Sequence, residues 1–123
     1  MKYCTTVIAV RDMEKSLQFY KDLFQQDVLV DFGKNKTLTC GLALQQGLEH
    51  IAGFDASTMK FRSNTMELYF ETEDFDAFIQ LLDSYPQMER LHETFSWLQR
   101  GIHIFDPDGH LIEVFGEYVF CCL

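Results

Sequence analysis

The chain carries one pattern twice, and this internal repeat constrains the fold more than any other feature of the sequence. An aspartate precedes a run of apolar residues at helical spacing in each half, first at Asp12 and again 62 positions later at Asp74. Each half predicts a strand, then that helix, then about three further strands. The sequence therefore predicts an α+β fold of two βαβββ modules, residues 1–46 and 64–120, joined by a connector over residues 47–63.

Length and composition fit one compact domain over residues 1–123, because 47% hydrophobic residues can fill a core. The 19 acidic residues outnumber the 10 basic ones and give a net charge of −9. This balance argues against nucleic acid and against an anionic membrane surface, since both partners require clustered cations. No apolar run approaches the roughly 20 residues that span a bilayer. We also find neither a secretory leader pattern nor a CxxC pair, which favours a cytoplasmic protein with free thiols.

Residues 105–114 predict a turn that is followed by a strand. Pro107 and Gly109 have the backbone preferences that a turn needs. In the strand, Glu113 shares a face with Phe115 and is surrounded by apolar neighbours. A carboxylate in such a place is costly to bury without a partner. A metal ion, an arginine or a ligand are the three candidates for that partner.

Several motifs in both halves carry a resemblance to a known family. They are Val10-Arg-Asp12, Ser16-Leu-Gln-Phe-Tyr20, Asp31-Phe-Gly33, Glu67-Leu-Tyr-Phe-Glu71, Trp97-Leu-Gln-Arg100 and Phe105-Asp-Pro-Asp-Gly-His-Leu-Ile-Glu113. Together they resemble the glyoxalase/bleomycin-resistance/dioxygenase group, also called the vicinal oxygen chelate superfamily. The resemblance covers nearly the whole chain. It implies an open, barrel-like mixed sheet around a cleft, a small-molecule ligand and a homodimer.

The resemblance also implies where a metal would be held. In metal-using members, ligands come from the first strand of each module and from the last strand. Those positions fall on Thr5, Glu67 and Glu113 in this chain. Threonine stands where a histidine is usual, so the ligand set is reduced to Glu67 and Glu113. These two carboxylates are predicted either to hold a divalent ion (Mg²⁺, Mn²⁺, Ni²⁺ or Zn²⁺) or to act as a catalytic acid/base pair.

The register of the last two strands decides which other side chains join Glu113. A pairing of Phe105 with His110 across the turn predicts that His103 lies on the face opposite Glu113. The same pairing predicts that Arg100 lies on the face of Glu113. Arg100 would then be either a structural ion-pair partner of Glu113 or part of an anion-binding floor.

The predicted substrate-binding residues combine aromatic and polar side chains. They are Thr5, Tyr69, Trp97, Arg100 and Phe115. Such a pocket suits a small organic molecule. The first hypothesis is therefore ligand binding without the full metal set, as in the metal-free drug-sequestering relatives. The alternative is a divalent-metal-dependent lyase or isomerase acting on a vicinal-oxygen substrate. A dioxygenase is disfavoured, because Fe(II) oxygenase sites use two histidines and a carboxylate.

Overall fold

The computed structural model describes residues 1–85, 88–95 and 99–117. It divides the chain into two compact units, Met1–Phe61 and Arg62–Leu123, and their boundary falls within the predicted connector. Trp97, which the sequence analysis singled out, lies outside the described residues, as do Cys121 and Cys122.

The first unit contains a four-stranded mixed sheet and one long helix. Its elements are β1 (Val7–Val10), α1 (Met13–Phe24), β2 (Val28–Asp31), β3 (Asn35–Leu38), β4 (Ala43–Gln46) and the short helix α2 (Leu48–Ala52). The strands are ordered β1-β4-β3-β2, with β1 parallel to β4 and the other pairs antiparallel. A 3-10 turn over Ala56–Thr58 follows in the connector.

The second unit repeats this arrangement. Its elements are β5 (Leu68–Glu71), α3 (Phe75–Asp83), β6 (Thr94–Phe95), β7 (Gln99–Phe105) and β8 (Leu111–Glu117). The strands are ordered β5-β8-β7-β6, with β5 parallel to β8. In both units, therefore, the first strand of the module lies beside the last. The predicted α+β class with two βαβββ modules and open mixed sheets is confirmed.

Equivalent aspartates begin the two long helices, as the repeat predicts. The amide of Lys15 donates to Asp12 Oδ1 at 3.2 Å, and the amide of Ala77 donates to Asp74 Oδ1 at 3.0 Å. Each bond satisfies one of the backbone donors that a helix leaves unpaired at its start. Among the helices of the described residues, none is long and apolar enough to cross a membrane.

One face of the second sheet forms the core of its unit. The buried side chains of this core are Phe75, Phe78, Leu82, Ile102, Ile104, Ile112 and Val114. The strand members alternate with residues that are only half-buried, such as His103 and Glu113. Because successive side chains of a strand point to opposite faces, the alternation leaves a second, more polar face on β7 and β8. That second face bears the candidate site.

The residue pattern of the second half predicts strands over residues 65–71 and near residues 89–92, and both predictions differ from the structure. The strand predicted over residues 89–92 is wrong, since only an isolated bridge between Arg90 and Ile104 forms there and β6 begins at Thr94. The strand predicted over residues 65–71 begins only at Leu68.

The turn before β8 sets the register of the last two strands. The Asp106 carboxylate accepts hydrogen bonds from the amides of Asp108 and His110, both at 2.9 Å. These bonds draw His110 into the turn, so Phe105 pairs with Leu111. The predicted pairing of Phe105 with His110 is wrong by one residue. A shift of one residue moves a side chain to the other face of the sheet.

Candidate metal centre

Three adjacent strands bring side chains to the polar face around Glu113. On β8, Glu113 pairs with His103 of the antiparallel β7 and with Tyr69 of the parallel β5. Cross-strand partners project from the same face of a sheet. Glu67 lies two positions before Tyr69, so strand alternation directs its side chain to this face as well.

The result is a cluster of one imidazole between two carboxylates. His103 Nε2 lies 2.9 Å from Glu67 Oε2 and 3.3 Å from Glu113 Oε1. One ligand atom from each of the three residues lies within 4.8 Å of the others. The side chains are partly shielded from solvent, with 25% of His103 and 21% of Glu113 exposed. The structure thus brings together the two predicted carboxylates and adds a histidine to them.

His103 is the member of this cluster that the sequence analysis missed. The prediction that it faces away from Glu113 is wrong, because the turn contains one residue more than expected. The signal that identifies it is the aspartate at position 106, whose side chain can cap two amides and lengthen the turn. With Phe105 paired to Leu111, the residues two positions further along each strand, His103 and Glu113, also form a pair.

The surroundings of Glu113 disfavour its charged form. Burial raises the pKa of the Glu113 carboxyl, and a hydrogen bond with Glu67 together with the negative charge of Glu67 raises it further. The nearby His103 acts in the opposite direction and lowers this pKa. The net pKa shift is upward, so in the ion-free protein Glu113 keeps its proton to a higher pH than an ordinary glutamate does.

This upward pKa shift predicts that ion-free protein loses stability as the pH rises. A group whose pKa is higher in the folded state than in the unfolded state binds more protons when folded. Its favourable contribution is complete below the unfolded pKa and is lost as the pH rises through the folded value. In chelator-treated protein, Glu113→Gln should remove this part of the decline in the free energy of unfolding above the ordinary glutamate pKa. Urea unfolding between pH 4 and pH 8 measures the difference.

The exposed Glu73 provides the matched control for this prediction, because it lies on the same unit but outside the cluster. Glu73→Gln should leave the pH profile of the free energy of unfolding like that of the wild type. Parallel profiles for the wild type and Glu113→Gln would contradict the prediction.

The donor set fits a divalent cation. Two carboxylates and a neutral imidazole offer two negative charges and a mixture of oxygen and nitrogen ligands, which suits Mn²⁺, Ni²⁺ or Zn²⁺ better than Mg²⁺. Neighbouring ligands of an octahedral ion at about 2.1 Å lie about 3 Å apart. The separations of 2.9 and 3.3 Å around His103 Nε2 are of that size. Glu67, His103 and Glu113 are therefore the residues that would hold an ion.

An aromatic pair borders the cluster. The rings of Tyr69 and Phe115 stack with their centroids 4.5 Å apart and an angle of 13° between their planes. Desolvation, followed by the charges of Glu113 and Glu67, raises the pKa of the Tyr69 phenol. The two predicted substrate-binding aromatics that the structure describes thus lie next to Glu113 on one face.

A small cavity adjoins Glu113 on the side of Phe115. Its volume is about 130 Å³, and its lining consists of Thr94, Phe95, Gln99, Arg100, Gly101, Glu113 and Phe115. A side chain at position 101 would fill part of this space, since its Cβ would lie 3.2 Å from both Glu113 Oε2 and Thr94 Oγ1. Because one water occupies about 30 Å³ of liquid, the cavity admits only a compact chemical group.

Arg100 lies on the other face of β7 and does not join the cluster. It pairs with Gly116 in the sheet and lies three positions before His103. Because this spacing is odd, strand alternation directs the Arg100 side chain to the face opposite His103 and Glu113. Its guanidinium donates to Asp76 at 2.6 Å and lies over the ring of Phe75, 4.5 Å from the centroid. The prediction that Arg100 shares the face of Glu113 is wrong for the same reason as the prediction for His103.

Thr5 belongs to the first unit, where its hydroxyl is engaged locally. It donates to the carbonyl oxygen of Gly41 at 2.5 Å. The role of Thr5 in ligand binding stays a prediction.

The chain belongs to the glyoxalase-like domain family, since the model of that family matches residues 3–118. No curated protein matches the chain in sequence. Among solved structures, a protein of unknown function from Agrobacterium tumefaciens is similar, with 33% identity, a TM-score of 0.77 and coverage of 96% of this chain and 95% of that one. The vicinal oxygen chelate resemblance found in the sequence is confirmed.

Two more distant structures share the fold. The fosfomycin resistance protein FosX from Listeria monocytogenes is 17% identical, with a TM-score of 0.73 and coverage of 97% of this chain and 95% of its own. A glyoxalase/bleomycin resistance protein/dioxygenase from Nocardioides is also 17% identical, with a TM-score of 0.73 and coverage of 98% and 85%. A mutant of the Listeria protein was solved with Mn(II) and 1S,2S-dihydroxypropylphosphonic acid.

Proposed function

We propose that this protein binds a divalent cation through Glu67, His103 and Glu113 and uses that centre to bind a small organic molecule with vicinal oxygen atoms. The observation that carries the proposal is the convergence of three ligand atoms within 4.8 Å on one sheet face. The Mn(II) in a structure of the similar Listeria protein supports the choice of a divalent ion.

The reaction class we propose is that of a lyase or isomerase. A bound divalent ion supplies Lewis-acid stabilisation of negative charge on a substrate oxygen. The chain itself supplies two anionic ligands and a neutral imidazole, which together oppose the charge of the ion. The stacked rings of Tyr69 and Phe115 give Glu113 an aromatic neighbour on the same face. The cavity of about 130 Å³ beside Glu113 limits the group accommodated there to a few heavy atoms.

A second candidate is ligand binding without a metal. The observation that favours it is that His103 Nε2 lies within hydrogen-bonding distance of both carboxylates, so the cluster can satisfy itself without an ion. The raised pKa of Glu113 adds a carboxyl group that can donate a hydrogen bond to a ligand. In this case Glu67 and Glu113 would act as an acid/base or hydrogen-bonding pair.

Metal addition separates the two candidates. We expect protein purified without chelators to contain a divalent ion in elemental analysis. We also expect Mn²⁺, Ni²⁺ or Zn²⁺ to raise the thermal midpoint of chelator-treated protein more than Mg²⁺ does. An ion at one hundred times its Kd should stabilise the fold by about 2.7 kcal/mol, because it binds the folded state preferentially. Absence of both the ion and the rise in midpoint would leave the metal-free candidate.

Three further properties stay predictions that rest on composition or on the resemblance. They are a homodimeric assembly, a cytoplasmic location and the lack of nucleic-acid or membrane partners. The net charge of −9 supports the last of these.

A further inference from the structure

The first unit contains a cavity that the proposed metal centre does not use. It lies where the ends of β1 and β4, the β2–β3 turn and the connector come together. Its volume is about 370 Å³, within the range of cavities that bind small ligands. All its lining residues lie between Val10 and Phe61, so the cavity belongs to the first unit by itself.

The lining is basic although the chain is strongly acidic. Arg11, Lys34 and His50 contribute to the wall, and Glu49 is the one acidic residue among the lining side chains. Glu49 lies 3.6 Å from His50, so its charge is opposed locally whenever the imidazole is protonated. In a protein with a net charge of −9, a cavity with this lining favours an anionic ligand.

Lys34 differs from the lysines on either side of it in sequence. Lys21 forms an ion pair with Asp27, and Lys36 forms one with Asp31 at 2.6 Å. Within the described part of the chain, the Lys34 ammonium has no carboxylate within 4.0 Å. A lysine at a cavity wall without a protein carboxylate can supply its charge to a ligand.

The Arg11 side chain is oriented by an aromatic ring. Its guanidinium carbon lies 4.4 Å from the centroid of the Phe61 ring. Stacking of this kind sets the plane of the guanidinium and reduces the entropy lost when it binds a planar anion. Arginine is also the residue that matches carboxylate and phosphate oxygens in pairs.

The remaining lining is apolar. Val10 is buried, with 3% of its surface exposed, and Met59 and Phe61 continue the apolar surface towards the connector. An anion without an apolar body would leave the partly exposed Met59 and Phe61 in water. A lining that combines cationic and apolar side chains fits an amphipathic ligand.

We propose that this cavity is a second binding site, for a small organic anion whose carboxylate or phosphonate group contacts Arg11 and Lys34 and whose apolar body contacts Val10, Met59 and Phe61. The site is distinct from the metal centre in residues and in ligand chemistry, so either proposal can fail alone.

Titration with benzoate, phenylphosphonate and the neutral benzyl alcohol tests the site. Calorimetry should show that at least one of the two anions binds at least tenfold more tightly than benzyl alcohol. Amide NMR shifts induced by that anion should centre on Val10, Gln46 and Met59. Lys34→Gln and Arg11→Gln should each weaken its binding at least tenfold. Both side chains are exposed, so neither change should prevent folding.

Lys15→Gln is the matched control. Lys15 is exposed on α1 and does not line the cavity, so its substitution removes one positive charge without changing the proposed site. It should leave the affinity within twofold of the wild type. Equal losses from Lys15→Gln and Lys34→Gln would overturn the proposal, since they would show an effect of net charge alone. Shifts centred on His103 and Glu113, or binding of neither anion, would overturn it as well.

Discussion

His103→Ala should weaken the binding of Mn²⁺ or Zn²⁺ by about a thousandfold, or about 4 kcal/mol. His103 Nε2 lies close to both carboxylates, at 2.9 Å from Glu67 and 3.3 Å from Glu113. Without it, the proposed centre would keep only Glu67 and Glu113, whose carboxylates repel one another. Thermal midpoints of chelator-treated protein, recorded against increasing metal concentration, measure the loss of affinity.

His92→Ala is the control for this variant, since His92 is exposed and is not part of the cluster. It should keep the full response of the thermal midpoint to metal. The His103→Ala protein should still fold, because a quarter of the His103 side chain is exposed and its removal leaves no large cavity. If His103→Ala retained the wild-type response, any bound ion would have to be held elsewhere, and the proposed centre would be wrong.

Gly109→Ala should lower the free energy of unfolding by about 3 kcal/mol. Gly109 has a φ of +87°, which is in the left-handed region that favours glycine. A Cβ at this position would also lie 2.8 Å from the Cα of Arg62 and 2.9 Å from its nitrogen. These neighbours are backbone atoms, so the turn or the segment at Arg62 would have to move. Urea unfolding with an unchanged m value measures the effect.

Gly33→Ala separates the cost of the left-handed backbone conformation from the cost of the contact with Arg62. Gly33 has a similar φ of +82°, but a Cβ there would meet no atom within 4 Å. This variant should therefore lose only the conformational part, about 1 kcal/mol. Equal losses from Gly33→Ala and Gly109→Ala would contradict the contribution of the contact with Arg62.

The architecture could be predicted from the sequence because its signals are local and occur twice. Asp12 and Asp74 each begin a helix by the same side-chain bond, and each helix follows one strand and precedes three. Local hydrogen-bonding chemistry of this kind is visible in a short stretch of sequence. A second copy at a constant spacing then excludes most other topologies.

The membership of the site could be predicted only in part. Glu67 and Glu113 were identified through the resemblance, and strand alternation places both on one face. The predicted faces of His103 and Arg100 are the reverse of the observed ones, because two hydrogen bonds that the Asp106 carboxylate accepts add one residue to the turn. Successive side chains of a strand point to opposite faces, so an error of one residue in the register assigns every side chain of β7 to the wrong face. The Asp106 side chain at the turn therefore decides which side chains of β7, three to six positions away, share a face with Glu113.

The parallel pairing of β5 with β8 has a consequence for how the module holds together. Glu67 and His103 are 36 residues apart in sequence, yet their side chains meet because β8, the last strand, lies between β5 and β7. A cation bound to both would act as a removable cross-link between the two ends of the module. Separation of β8 from β5 would release it, so occupancy of the centre would report whether the second module is intact.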